Sequence, residues 1–251
     1  MINGAIFLDF DGVLFDTVKE TYCVSMITCE RANTISEIDF ETQHYHYFHK
    51  FRYLIGPAWN YYFLIGAIDE KLKEPELEIN QTLQIELENP KGNQHLLFEK
   101  RFFSSRRHLK KRDYACWESL IHPYPIVADL RKLMENHRAS IYFITTRDRE
   151  SVKHLLNTYD LEFVNGHIFS KEDLGKNSKK DLIQYLIKKN KITSSIFVDD
   201  LKSNLAACKS IQNMTLLHAC WGYVAPEDRK DNKEQILREL KNIFKESGIE
   251  A

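Results

Sequence analysis

Acidic, hydroxyl and basic side chains stand where predicted strands end and where one helix begins, in an order that suggests phosphate chemistry. They are Asp9 and Asp11 after a first apolar run, Thr145 after a second, Lys179 at a helix start, and Asp199 and Asp200 after a later run. Carboxylates can hold a hard Mg²⁺ ion and attack phosphorus, whereas a hydroxyl and an ammonium suit phosphoryl oxygens. Together these groups match a phosphoryl-transfer site.

These groups can converge only if their elements belong to one sheet. Short apolar runs at 5–8, 140–145 and 195–198 alternate with stretches of helical periodicity, such as 126–134 and 179–187. Strands that alternate with helices are typical of a parallel sheet covered on both faces. The carboxyl ends of such strands line one crevice. We therefore predict an α/β, doubly wound parallel-sheet core of Rossmann-like type, with the site in that crevice.

The segment between the first and second apolar runs has a different character. Strand patterns disappear, aromatic residues crowd together at 45–63, and charge runs appear at 69–88 and 99–112. Pro123 and Pro125 provide a natural hinge for the return of the chain. We predict a mainly helical insertion over 16–124, carried by a core made of residues 1–15 and 125–251.

Composition and charge exclude several classes of protein. The 35 Lys and Arg residues nearly balance the 36 Asp and Glu residues, so overall charge attracts neither nucleic acid nor an acidic membrane. The five cysteines form no dense framework, and Asp9 and Asp11 interrupt the N-terminal apolar run. The apolar stretch 53–68 is shorter than the ~20 residues of a membrane-spanning helix. We expect a cytoplasmic protein.

The segment Asp9-Phe-Asp-Gly-Val13 resembles the first motif of the haloacid dehalogenase-like superfamily of hydrolases, an apolar strand followed by Asp-x-Asp-Gly-(Val/Thr). Thr145 at a strand end and Asp199-Asp-Leu-Lys-Ser-Asn204 are similar to later motifs of the family. Trp221-Gly-Tyr223 looks like the tail of phosphoglycolate-phosphatase-type members. The resemblance covers about 1–15 and 125–225, and it implies that 16–124 is the family's substrate-selecting cap.

The resemblance also implies catalytic roles. Asp9 would be the nucleophile that forms an aspartyl-phosphate, and Asp11 would protonate the leaving oxygen and later activate water. Thr145 and its neighbour Thr146 would bind the phosphoryl group, and Lys179 would offset its charge. Because Asp11 is an acid, the reaction is expected to be that of a phosphatase or phosphomutase rather than a dehalogenase.

The implied cofactor is Mg²⁺. By the same resemblance Asp9, Asp200 and the backbone carbonyl of Asp11 would bind the ion, while Asp199 and Asn204 would support it from nearby.

Two assignments of basic residues stay open. Lys176 and Lys180 lie near the same helix start as Lys179, although Lys179 has the better spacing to Ile183 and Leu186 on the buried face. In the aromatic stretch 44–53, Arg52 or Lys50 could hold an anionic substrate group, or the stretch could simply form an aromatic helix core.

The sequence thus predicts a Mg²⁺-dependent phosphatase that acts on a small phosphorylated metabolite. A phosphomutase shares every core residue and is the nearest alternative. A non-catalytic binding protein of the same fold is the other, contacting nucleic acid through the basic segment 100–112. The natural substrate and the oligomeric state are left open.

Overall fold

The chain divides into two compact units. The structure, a computed structural model, describes residues 3–137, 141–161, 163–164, 166–175 and 177–246. The first unit comprises the described parts of 1–16 and 123–251, and the second comprises 17–122. We call them the core unit and the helical unit. Their boundaries differ by one or two residues from the expected 1–15, 125–251 and 16–124.

The described strands are β1 Gly4–Leu8, β2 Phe15–Asp16, β3 His122–Pro123, β4 Ile141–Ile144, β5 Ile168–Phe169, β6 Ser194–Asp199 and β7 Met214–His218. In the part of the chain that the structure describes, five of them form a parallel sheet in the order β5-β4-β1-β6-β7. The strands β2 and β3 lie where the chain passes between the units.

The helices of the helical unit are α1 Val18–Thr28, α2 Gln43–Phe51, α3 Asn60–Lys73, α4 Ile79–Glu88, α5 Gln94–Arg112 and α6 Tyr114–Ser119. Those of the core unit are α7 Ile126–His137, α8 Arg149–Thr158, α9 Lys171–Leu174, α10 Lys179–Asn190, α11 Lys202–Cys208 and α12 Lys233–Glu246. Short 3-10 helices span Ile35–Glu37, Arg52–Leu54 and Pro226–Asp228. None of the helices among the described residues is long and apolar enough to cross a membrane.

Alternation along the central strands accounts for the layers of the core unit. Phe7, Tyr142 and Phe197 are paired in register and share one face with buried residues of α10. Ile6 and Leu8 point the other way and are fully buried, where α12 packs on β1 and β6. Because both faces are apolar and covered, the predicted doubly wound α/β core is confirmed.

The register of the sheet brings three strand ends to one edge. Leu8 of β1 pairs with Val198 of β6 and with Phe143 of β4. The next backbone N–H, that of Asp9, donates to the Val198 carbonyl at 3.0 Å. Consequently the side chains that follow β1, β4 and β6 begin at the same carboxyl edge, where parallel sheets gather ligands.

A buried ion pair ties together the beginning and the end of the helical unit. Glu20 of α1 is fully buried and accepts hydrogen bonds from Arg106 Nε at 2.7 Å and Nη2 at 3.0 Å. The indole Nε1 of Trp117 donates to the same carboxylate at 2.9 Å. Buried charges are tolerated when they are paired and hydrogen-bonded in this way.

The aromatic stretch of the sequence forms much of the interior of the helical unit. Phe48 stacks on Tyr61 with ring centroids 5.6 Å apart, and Tyr61 stacks on Phe102 at 5.5 Å. All three side chains are buried. Offset stacks of this kind add to the stabilisation that burial alone provides.

Candidate functional site

The carboxylate of Asp9 lies at the centre of a buried charge cluster. Lys179 Nζ is 2.8 Å from Asp9 Oδ1 and 2.8 Å from Asp199 Oδ2, and the lysine side chain is only 9% exposed. Lys179 is the first residue of α10, whose start is fixed by a capping box between Ser178 and Asp181. The capped start of α10 thus places the Lys179 ammonium group beside Asp9, which follows β1.

The structure describes two of the three candidate lysines. Lys179 reaches Asp9, whereas the neighbouring Lys180 is half-buried and makes no ion pair with it. Lys176 lies outside the described residues.

Three carboxylates meet at this edge of the sheet. Ligand oxygens of Asp9, Asp199 and Asp200 all lie within 4.8 Å of one another, and the three residues are buried. Asp199 is already engaged, because it accepts hydrogen bonds from Lys179, from the Leu201 backbone at 2.8 Å, and from Asn204 Nδ2. The contact between Asp199 and Asn204 agrees with the supporting role expected for them, and which of the three carboxylates would bind a metal stays a prediction.

Burial and close contact shift the pKa values of Asp9 and Lys179. Burial raises the pKa of Asp9 to about 7, because Lys179 lowers it only in part and Asp199 raises it further. Burial disfavours the ammonium of Lys179, but Asp199 and Asp9 outweigh this effect and raise its pKa, so it remains charged. Among the described residues, Lys179 forms ion pairs with two of the three buried carboxylates, those of Asp9 and Asp199. All three carboxylates are hard oxygen donors, and this donor set fits Mg²⁺.

Two glycines allow the loops around the cluster to approach each other. Gly12 has φ +83°, and a Cβ atom there would overlap Asp200 Oδ2. A Cβ atom at Gly222 would overlap the backbone carbonyl of Gly12. The backbone N–H of Tyr223 donates to Asp200 Oδ2 at 2.8 Å, and Trp221 Nε1 donates to the Val13 carbonyl at 3.1 Å. The segment 221–223 therefore clamps the Asp200 carboxylate against the loop after β1.

For the Mg²⁺-dependent phosphatase that the sequence predicts, we expect the substitution Gly12→Ala to lower phosphate release by at least about 100-fold, because the new methyl group would displace the Asp200 carboxylate. The measurement is the initial rate with saturating Mg²⁺, together with the thermal melting temperature of the folded protein.

Alanine substitutions at two other glycines distinguish overlap with Asp200 from backbone strain as the cause of a loss of activity. Gly175 also has positive φ (+54°) but open space around it, so Gly175→Ala tests backbone strain alone, at a cost of about 1–3 kcal/mol. Gly66 lies exposed within α3, where alanine stabilises a helix by ~1 kcal/mol. An equal loss of activity in Gly12→Ala and Gly175→Ala would contradict the proposed overlap with Asp200.

Thr145 presents its hydroxyl group at the end of β4. The side chain is 1% exposed, and its Oγ1 accepts a hydrogen bond from the Arg147 backbone N–H at 3.1 Å. Because this bond occupies an acceptor position, the hydroxyl hydrogen can be donated to a ligand oxygen. Thr146, the next residue, is half-buried.

Asp11 has a partner that the sequence did not single out. Arg147 Nη1 donates to Asp11 Oδ1 at 2.9 Å, and the arginine side chain is fully buried. In the sequence Arg147 stands within a polar run, Thr146-Arg-Asp-Arg-Glu150, that reads as an ordinary helix start. The one available signal was its place two residues after Thr145, on the turn that leaves the strand.

Arg52, the predicted anion-binding residue of the insertion, lies in the interior of the helical unit. It is 8% exposed, its Nη1 donates to the Ile55 carbonyl at 2.7 Å, and its guanidinium lies over the Tyr61 ring. These contacts give Arg52 a packing role, and substrate binding by this residue stays a prediction. In the basic segment 100–112, Arg106 and Lys110 are likewise buried, against Glu20 and Trp117.

Comparison with known proteins identifies the fold. No protein-family model matches the chain, and no curated protein matches it in sequence. Solved structures do match over nearly the whole chain. A haloacid dehalogenase-like hydrolase from Streptococcus pneumoniae is 15% identical, with a TM-score of 0.60, and the match covers 95% of this chain and 98% of that one.

Two further structures carry phosphatase names. A predicted phosphatase from Clostridium acetobutylicum is 14% identical, with a TM-score of 0.61, over 96% of this chain and 100% of that one. A predicted phosphoglycolate phosphatase from Haemophilus somnus is 13% identical, with a TM-score of 0.61, over 95% and 97%. The resemblance noted in the sequence is thereby confirmed at the level of the fold.

Proposed function

We propose that this protein is a Mg²⁺-dependent phosphatase that hydrolyses a small phosphate monoester through an aspartyl-phosphate on Asp9. The observation that carries the proposal is the buried cluster of Asp9, Lys179, Asp199 and Asp200 at the carboxyl edge of the sheet. The fold that the chain shares with proteins named as phosphatases supports the same reaction class.

The residues of the site divide the reaction between them. Asp9 attacks phosphorus, while the Thr145 hydroxyl and the Lys179 ammonium bind phosphoryl oxygens as charge develops on them. Asp11 donates a proton to the departing ester oxygen and then accepts one from the water that cleaves the acyl-phosphate. Mg²⁺, when held by Asp9, Asp200 and the backbone carbonyl of Asp11, supplies positive charge that offsets the phosphoryl group.

The substrate class follows from the reaction and from the neighbours. A structural neighbour bears the name of a phosphoglycolate phosphatase, and we extend from it only the general class of small phosphorylated metabolite to this chain. A cytoplasmic location, expected from the sequence, is part of the same proposal.

The decisive experiment measures inorganic phosphate released by the purified protein from sugar phosphates, nucleotides, phosphoglycolate and phosphorylated amino acids. We expect release that requires Mg²⁺, stops on chelation with EDTA and returns when Mg²⁺ is restored in excess.

Other outcomes would replace the proposal. Conversion of a sugar phosphate to its isomer without phosphate release would indicate a phosphomutase. No release from any ester, combined with oligonucleotide binding that weakens steeply with salt, would indicate a non-catalytic protein that uses the segment 100–112.

A further inference from the structure

Arg147 is a buried cation to which the proposed reaction gives no task. It lies in the turn between β4 and α8, and its side chain is 0% exposed, whereas that of Asp11 beside it is 17% exposed. Burying a guanidinium is costly unless partners compensate for the lost water. Because Arg147 is two residues after Thr145, this buried guanidinium lies next to the candidate site.

The backbone of Arg147 is fixed from both sides. Its N–H donates to Thr145 Oγ1 at 3.1 Å, and its carbonyl accepts a hydrogen bond from the Lys171 N–H at 3.0 Å. The guanidinium group is planar, and its N–H groups donate in defined directions, whereas the ammonium group of a lysine is flexible.

The contact with Asp11 occupies one carboxyl oxygen. Arg147 Nη1 donates to Oδ1 at 2.9 Å, and no hydrogen bond from the described part of the chain engages Oδ2. This hydrogen bond restricts the rotation of the Asp11 carboxyl group about its Cβ–Cγ bond and leaves the second oxygen available to a ligand.

We propose that Arg147 is a positioning residue that holds Oδ1 of Asp11 and thereby presents Oδ2 to the ester oxygen of the substrate. This inference rests on the proposed function. In the first step the bond from Asp9 to phosphorus forms, the ester P–O bond breaks, and the Oδ2 proton passes to the leaving alkoxide. In the second step water attacks phosphorus, its proton passes to Oδ2, and phosphate leaves Asp9.

In the first step, transfer onto Asp9, a residue that acts through Asp11 matters only when the leaving group needs a proton. An alkyl phosphate such as glycerol phosphate expels a strongly basic alkoxide, whereas 4-nitrophenyl phosphate expels a phenolate that leaves without one. Proton transfer by a positioned acid raises a reaction rate by about 10²–10⁴-fold. Loss of Arg147 should therefore reduce the rate for the alkyl ester much more than the rate for the aryl ester.

The test compares kcat/KM, which reports on steps up to transfer onto Asp9, for both esters in Arg147→Met and Arg147→Lys. We expect Arg147→Met to lose about 100-fold in kcat/KM on glycerol phosphate and less than about 10-fold on 4-nitrophenyl phosphate. Arg147→Lys keeps the positive charge but lacks the planar guanidinium group. We expect a smaller loss of kcat/KM, which is again larger for glycerol phosphate than for 4-nitrophenyl phosphate. If Arg147→Met does not fold, Arg147→Lys decides.

Two further variants complete the design. Arg149→Met removes a more exposed arginine of the same segment, which pairs with Asp173, and should leave both rates unchanged. In an Asp11→Asn background, Arg147→Met should have little further effect, because both changes remove one function.

Three outcomes overturn the inference. They are an equal loss on both esters, a loss confined to KM, and an effect that adds fully to that of Asp11→Asn. In each of these the wild-type protein is active, so the proposed function survives. Absence of activity toward both esters in the wild-type protein overturns the proposed function and this inference together.

Discussion

Asp9→Asn is expected to reduce phosphate release by roughly 10⁴-fold or more, because an amide of the same shape cannot act as the nucleophile. The variant should stay folded. The carboxylate of Asp9 is buried, and replacing it by a neutral group removes a desolvation cost while Lys179 keeps Asp199 as its partner. The measurement pairs the rate with the melting temperature of the Mg²⁺-free protein, which should be unchanged or higher.

The same variant tests the metal site through pH. Because burial raises the pKa of Asp9 to about 7, the group is protonated below that pH, and a proton there competes with Mg²⁺. Apparent Mg²⁺ affinity of the wild-type protein should fall up to about tenfold per pH unit below pH 7. In Asp9→Asn, Mg²⁺ affinity should be weak and should lose this pH dependence.

A control and an excluded result complete this prediction. Asp160→Asn alters an exposed aspartate in a left-handed turn that asparagine also tolerates, so activity and Mg²⁺ affinity should not change. Substantial phosphate release by Asp9→Asn would rule out Asp9 as the nucleophile.

Lys179→Met is expected to have the largest effect on stability. The ammonium is the cation between Asp9 and Asp199, and its removal leaves neighbouring carboxylates buried without it. Breaking a buried pair in this way costs about 3–5 kcal/mol of the free energy of unfolding. The rate should also fall by at least about 100-fold, because a donor to the phosphoryl group is lost.

The dependence on pH and Mg²⁺ distinguishes this cause from a packing defect. In the wild-type protein Asp9 ionises above about pH 7, whereas without Lys179 its pKa is higher, so the loss of stability should grow as pH rises above 7 and shrink as pH falls. Mg²⁺ should restore part of the loss, because it replaces the missing charge. Unfolding by urea at pH 8 and pH 6, with and without Mg²⁺, measures both effects.

Lys180→Met is the matched control, since it removes the neighbouring lysine, which is half-buried and not paired with Asp9. We expect little change in its free energy of unfolding or in its rate of phosphate release. Similar losses in the two variants would show that the cluster does not depend on Lys179 in particular.

The sequence was sufficient to predict the core because its signals are local. Apolar runs ending in Asp9, Thr145 and Asp199, separated by helical stretches, are typical of a parallel sheet whose carboxyl edge gathers polar groups. The spacing of Lys179 to Ile183 and Leu186 likewise selected the lysine that the structure places beside Asp9, since a helix buries one face.

Other contacts of the site join positions far apart in the chain, and no periodicity encodes them. Arg147 meets Asp11 across 136 residues. The backbone N–H of Tyr223 donates to Asp200. Any residue other than proline has this N–H group, so the side chain at position 223 gives no sign of the contact. The helical unit was harder still, because an aromatic and basic stretch is compatible with either a pocket or an interior, and only packing decides. Arg52 illustrates this, since its guanidinium lies over Tyr61 inside the unit.

The contact of Glu20 with Arg106 and Trp117 has a consequence for how such an insertion can arise and change. It joins the first helix of the insertion to its last two, across 86 and 97 residues of chain. The inserted segment therefore secures its own ends, and the host sheet needs only two points of entry, as it would for a short loop. We therefore expect the insertion to tolerate changes in its sequence while the sequence of the host sheet stays the same.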